Sequence, residues 1–95
     1  MKKICIIGGS QKETYERIGM KKGYKVVHHN GKTGGGNIIK QILPMIRKAD
    51  VVILMKGALN HHAMWKAREL AEKRNIPIYF HQGFGASGAF DLLPA

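Results

Sequence analysis

Cysteine is almost missing from this sequence, because Cys5 is the only one in 95 residues. A single cysteine excludes disulfides within the chain and zinc sites built from paired cysteines. It also favours a reducing compartment, so we expect a cytoplasmic protein. A cysteine phosphatase loop would need an arginine six positions after Cys5, and Gln11 stands there. We therefore predict that Cys5 is a buried core thiol.

Long apolar runs are also missing. No stretch approaches the roughly 20 apolar residues that cross a bilayer, so we expect no membrane-spanning helix. The start, MKKICIIGGS, is interrupted by Gly8 and Gly9, which indicates a first strand rather than a secretory signal. Since repeats and linkers are absent too, we expect residues 1–95 to form one domain.

Acidic residues are few: six Asp and Glu stand against sixteen Lys and Arg, for a formal net charge of +10. This surplus suggests an anionic partner, which could be a small charged ligand, nucleic acid or a membrane surface. Only Glu13 and Asp91 come near the predicted site, so paired-carboxylate hydrolysis has no obvious residues. The sequence thus favours a non-enzymatic function.

Four apolar, β-branched runs alternate with helical segments, and these runs are residues 3–7, 24–29, 50–55 and 76–81. This alternation predicts an α/β fold with a single, small, doubly wound parallel sheet of Rossmann-like or flavodoxin-like type. The first and third runs are apolar on both faces and should be central. The predicted strand order is 2-1-3-4.

Polar residues mark where the helices begin. Ser10 and Glu13 have the spacing of a capping box, which would open the first helix. Asn60 is a good N-cap for the third helix, and a short last helix should start near Ser87.

The loops that follow the strands should meet at the carboxyl edge of the sheet, where ligands bind in such folds. These loops hold most of the glycines, all five histidines and three lysines, namely His28, His29, His61, His62, His81, Lys12, Lys32 and Lys56. We therefore interpret the stretch VVHHNGKTGGG, residues 26–36, as part of a binding-site wall.

The histidines do not suit a compact zinc site. His28 and His29 should point to opposite faces of a strand, and His61 and His62 diverge by about 100° on a helix. The second and fourth loops should lie roughly 14 Å apart, whereas zinc–nitrogen bonds are about 2 Å long. The candidate metal ligands are His61, His62 and His81, with His81 and one of the other two as the closest pair.

A broad anionic cofactor suits these loops better, and the leading hypothesis is a sensor or carrier that binds haem. His81 with His61 or His62 would ligate the iron, while Lys32 and Lys56 would pair with carboxylates. Three aromatic residues are expected near the same edge, namely Trp65, Phe84 and Phe90.

Two other functions stay open. Gly8, Gly9 and Ser10 could present backbone amides to the phosphate of a nucleotide, in a regulator or an enzyme, although the pattern is neither GxGxxG nor a Walker loop. Nucleic acid could instead bind a basic rim at the amino edge, although the same cations would complement helix dipoles. This rim comprises Lys2, Lys3, Lys21, Lys22, Lys25, Arg47, Lys48, Lys73 and Arg74.

Self-association is a further expectation. Trp65 lies beside the apolar stripe of its helix, and Tyr79 or Phe80 should be exposed on an edge strand. A two-fold axis would cover these surfaces and bring carboxyl-edge loops of two chains together.

The order of motifs resembles a bacterial family, the one catalogued as domain of unknown function 2325. The resemblance spans nearly the whole chain and consists of IIGGSQ, HH followed by glycine, ADVVIL, NHHAM and GFGASGAF. It implies a compact α/β fold, a bacterial cytoplasmic location and frequent self-association, with no catalytic residues to carry over.

Overall fold

Strands and helices alternate along the chain as the sequence predicts. The computed structural model describes residues 1–32, 37–55, 57, 59–82 and 85–93. The elements are β1 (Lys2–Ile7), α1 (Lys12–Lys21), β2 (Tyr24–His29), α2 (Asn37–Arg47), β3 (Val51–Met55), α3 (His61–Lys73), β4 (Ile78–His81) and α4 (Ala86–Asp91).

All strand pairs are parallel and the strand order is β2-β1-β3-β4, which confirms the predicted sheet. β1 and β3 are central because their side chains are apolar on both faces; every residue of β3 is buried. β2 and β4 form the edges. The order therefore reverses between β1 and β3, and the loops after these two strands are neighbours.

Two hydrophobic clusters cover the two faces of the sheet. On one face, Tyr15 of α1 and Phe90 of α4 pack against Ile4, Ile6 and Ile53. On the other, α2 and α3 pack their apolar stripes against β1 and β3; the buried members are Ile38, Ile42, Ile46, Ala63 and Ala67. α2 runs continuously through Pro44. None of the helices in the described ranges is long and apolar enough to cross a membrane.

The helix starts agree only in part with the predictions. Asn60 is the N-cap of α3, as predicted, and its Oδ1 accepts a 2.7 Å hydrogen bond from the amide of Ala63. The predicted capping box at Ser10 and Glu13 is wrong, because α1 begins one residue later with Gln11 as its N-cap and no side-chain cap. α4 starts at Ala86, one residue before the predicted Ser87.

Candidate functional site

A cleft of about 490 Å³ opens at the carboxyl edge, where the strand order reverses. We call it the switch-point cleft, and it is lined by Gly9, Ser10, Gln11, Tyr15, Asn30, Gly31, Lys32 and Gly57. The sequence predicted a site here from Gly8, Gly9, Ser10 and Lys32. The predicted Lys56 lies outside the described residues.

The β1–α1 loop brings backbone close to the floor of this cleft. Gly8 and Gly9 have φ of 112° and 80°, conformations that favour glycine. A Cβ at Gly9 would clash with the hydroxyl of Tyr15, so the backbone of residue 9 lies directly on that ring. This path leads the chain into α1, whose first-turn amides point toward its N-terminal end.

A ring contact between the buried Tyr15 and the half-buried His28 joins α1 to β2. Their ring centroids are 5.1 Å apart and their planes are inclined by 48°. Nε2 of His28 donates a 2.9 Å hydrogen bond to the carbonyl oxygen of Gly8, which joins the end of β2 to the β1–α1 loop. Burial raises the pKa of the Tyr15 hydroxyl, so this group stays neutral.

His29 points to the opposite face, as alternation along a strand predicts. Its Nδ1 accepts a hydrogen bond from the amide of Gly31, and its Nε2 lies 2.6 Å from Oε1 of Gln41 on α2. Oδ1 of Asn30 accepts a 2.9 Å hydrogen bond from the amide of Lys32, so the loop turns tightly after β2. His28 and His29 thus hold the wall of the cleft in place.

A second depression, of about 450 Å³, shares Ser10, Asn30 and Lys32 with the cleft and adds Lys12. His28 and His29 also line it. Two lysines therefore flank the N-terminal end of α1. Among the described residues that line the two depressions there is no carboxylate.

The remaining predicted ligands lie apart from this cleft. His61 and His62 are exposed on the first turn of α3, and Trp65 is 58% exposed one turn later. The His81 ring packs on α4, since a Cβ at Gly88 would lie 2.8 Å from its Cε1. His81 is therefore on the opposite face of the sheet from α3, and the pair expected to be closest is divided between two layers.

Metal or haem ligation by these histidines stays a prediction. Within the described ranges, no three His, Cys, Asp or Glu side chains come together as a metal-binding group. The prediction that Phe90 lies near the site is wrong. Phe90 is 3% exposed and belongs to the core beside Gly19. Phe84 lies outside the described residues.

Sequence reasoning missed Tyr15, and it did not single out Gln11, Asn30 or Gly31, although these three lie in the loops after β1 and β2 where it placed the site. The loop after β2 was expected from the sequence, and the Asn30–Gly31 dipeptide within it is a common turn signal. Tyr15 gave no such signal, because its apolar helical spacing is equally typical of an ordinary core residue.

A family model described as "Uncharacterized protein conserved in bacteria (DUF2325)" matches residues 3–92. The chain belongs to this family. UPF0751 proteins of Bacillus anthracis (strain CDC 684 / NRRL 3495) and Bacillus cereus (strain AH820) are each 38% identical to this DUF2325 chain over 92 residues, 97% of this chain and 92% of the relative. A UPF0751 protein of Desulfitobacterium hafniense (strain Y51) is 30% identical over 93 residues, 96% of this chain and 90% of the relative. No solved structure matches the chain significantly.

The amino edge of this DUF2325 chain carries the predicted lysines. Lys3 and Lys25 are paired in register on β1 and β2, and with Lys48 they border a depression of about 270 Å³ floored by Val27 and Met45. Asp50 accepts a 2.7 Å hydrogen bond from the amide of Lys3. Nucleic-acid binding at this edge stays a prediction.

Proposed function

We propose that this chain is a binding domain for a small phosphate-bearing ligand, which it holds in the switch-point cleft. One observation carries the proposal: Lys32 lines the same cavity as residues 9–11, which lead into the N-terminal end of α1. A helix N-terminus combines unpaired amides with the positive end of the helix dipole, and both stabilise a bound phosphate. Lys32 adds a full positive charge to this environment.

The charges around the cleft support an anionic ligand. Lys12 lines the neighbouring depression, which shares Ser10 and Lys32 with the cleft. Because no described lining residue is a carboxylate, nothing among them opposes a phosphate by repulsion. The same residues therefore offer no pair of carboxylates for acid–base hydrolysis.

The size of the cleft supports a ligand larger than inorganic phosphate. Its volume of about 490 Å³ falls within the range of roughly 300–1,000 Å³ that is typical of small-molecule sites. Asn30 and Tyr15 also line the cleft, so it offers a polar and an aromatic residue besides Lys32. A nucleotide or a sugar phosphate fits this combination of size and chemistry.

Calorimetric titration of the purified chain tests the proposal, with inorganic phosphate, AMP and ATP as probes and adenosine as the uncharged control. We expect the phosphorylated probes to bind and adenosine not to bind. Lys32→Ala should weaken binding by roughly 10- to 100-fold, the usual effect of losing a charge-assisted hydrogen bond. Lys48→Ala removes the same charge at the opposite edge and should leave the affinity nearly unchanged.

Two results would count against a phosphate site. One is equal affinity for adenosine and AMP; the other is equal weakening by Lys32→Ala and Lys48→Ala, which would indicate attraction by net charge alone. Hemin serves as a separate probe. A Soret shift that disappears in His61→Ala, His62→Ala or His81→Ala, while phosphate compounds fail to bind, would favour the haem hypothesis instead.

A further inference from the structure

α3 carries a solvent-facing stripe that the proposed function does not use. We call it the α3 outer stripe: His61, Met64, Trp65, Arg68, Glu69 and Glu72, which together border a shallow depression of about 650 Å³. Their spacing places them on one side of the helix. The buried side is formed by Ala63, Ala67 and Ala71, so the stripe faces away from the core, except at Met64, which also packs against the core.

Exposed aromatic surface extends from this stripe to the sheet edge. Trp65 is 58% exposed and Phe80 of the edge strand β4 is 39% exposed. The guanidinium carbon of Arg68 lies 5.6 Å from the centroid of the Phe80 ring, so Arg68 connects helix and strand. A contiguous exposed patch of this kind is typical of an interaction surface, and burying its tryptophan would be favourable.

Charge distinguishes this surface from the rest of the chain. The formal net charge is +10 with only six acidic residues, and two of these six, Glu69 and Glu72, belong to the stripe. Arg68 is the only lysine or arginine in it. Two copies of so basic a chain repel each other, and the repulsion is smallest where acidic side chains are present.

The stripe is complementary to itself when two helices run antiparallel. Around a two-fold axis between positions 66 and 67, Trp65 faces Arg68 of the second copy, and His61 faces its Glu72. An arginine over a tryptophan face is a favourable cation–π contact, and Arg68 already occupies one such position over Phe80. We propose that a second copy of this chain docks on the α3 outer stripe, which makes the protein a two-fold symmetric dimer.

Sedimentation and light scattering at micromolar concentration and physiological ionic strength test the dimer. We expect twice the 10.6 kDa chain mass. Trp65→Ala should weaken dimerisation by about tenfold or more, because aromatic residues at the centre of an interface contribute most to affinity. Glu72→Arg should weaken it as well, because it replaces the hydrogen-bond acceptor opposite His61 with a cation that only donates. Both positions are exposed, so circular dichroism should show an unchanged fold.

A matched control and a rescue separate this surface from a general charge effect. Glu16→Arg makes the same charge change at an exposed position of α1 and should leave the dimer intact. Combining Glu72→Arg with His61→Glu exchanges the paired groups and should restore it. A monomeric wild type, a dimer that is not weakened by Trp65→Ala, or equal weakening by Glu16→Arg would overturn the proposal. None of these results depends on the switch-point cleft.

Discussion

The backbone amide of Gly31 donates a 2.9 Å hydrogen bond to Nδ1 of His29, two residues earlier in the chain. An amide nitrogen only donates, so Nδ1 carries no proton and the hydrogen of the neutral ring is on Nε2. That nitrogen lies 2.6 Å from Oε1 of Gln41. Both ring nitrogens are therefore used in positioning the loop, and His29 has no nitrogen left for a metal or haem iron in this conformation.

We predict that His29 is the neutral tautomer protonated on Nε2. Long-range proton–nitrogen spectra of the labelled protein at neutral pH should show an unprotonated Nδ1 and a protonated Nε2. His29→Ala should release the loop and lower the affinity for a phosphorylated probe several-fold, while His62→Ala on exposed α3 should not. A His29 protonated on Nδ1 would contradict the prediction.

The sheet could be predicted from sequence because its causes are local. The run VVILM of β3 is apolar at every position, which only a central strand tolerates, whereas Lys25 in β2 and Pro77 before β4 suit edges. Opposite orientations for His28 and His29 follow from the two-residue period of any strand.

The site was less accessible to sequence reasoning because tertiary packing decides it. Spacing alone predicted Ser10 as the N-cap of α1. In the structure the backbone has positive φ at Gly8 and Gly9, and α1 begins only at Lys12. Phe90 follows a glycine-rich loop and was expected at the site. Its helix instead packs on α1, and Phe90 enters the core beside Gly19, where a side chain would clash with Val26.

Gly9→Ala should destabilise the fold more than Gly57→Ala. Both residues have positive φ, 80° and 82°, so both substitutions cost the roughly 1–2 kcal/mol of a left-handed conformation. Only at Gly9 would the new methyl group clash with Tyr15; at Gly57 nothing lies within 4 Å. Overpacking should add about 1–3 kcal/mol at Gly9. Urea unfolding measures the free energy of unfolding of both variants. Equal destabilisation by the two substitutions would show that the Tyr15 side chain moves aside without cost.

Asn60→Ala should lower the free energy of unfolding by about 1 kcal/mol, the usual value of an N-cap side chain. The reason is that the Ala63 amide would lose its 2.7 Å hydrogen bond to Oδ1 of Asn60. Asn60→Ser keeps a capping oxygen and should cost much less. Chemical denaturation of the three proteins compares them, and equal stabilities would mean that water replaces the cap without loss.

The Cys5 thiol should be unreactive in the folded protein. Cys5 is fully buried in β1, and this burial raises the pKa of its thiol from 9.0 to about 12. Since the thiolate is the reactive form, a thiol reagent at pH 8 should label Cys5 only as fast as the chain unfolds. Labelling at the rate of a free peptide thiol, without denaturant, would contradict the buried position.

The same pKa shift predicts how stability depends on pH. The folded protein holds the thiol proton more tightly than the unfolded chain, so the protonated thiol stabilises the fold fully below pH 9. This contribution is lost as the pH rises from 9 toward 12.

Other groups titrate in that interval, so the informative quantity is the difference in the free energy of unfolding between wild type and Cys5→Ala. Cys5→Ala should be less stable at pH 7 because it leaves a small cavity, and its disadvantage should shrink as the pH rises. Denaturant unfolding at several alkaline pH values measures this difference in the free energy of unfolding. A difference that does not change with pH would mean that folding leaves the pKa of the thiol unshifted.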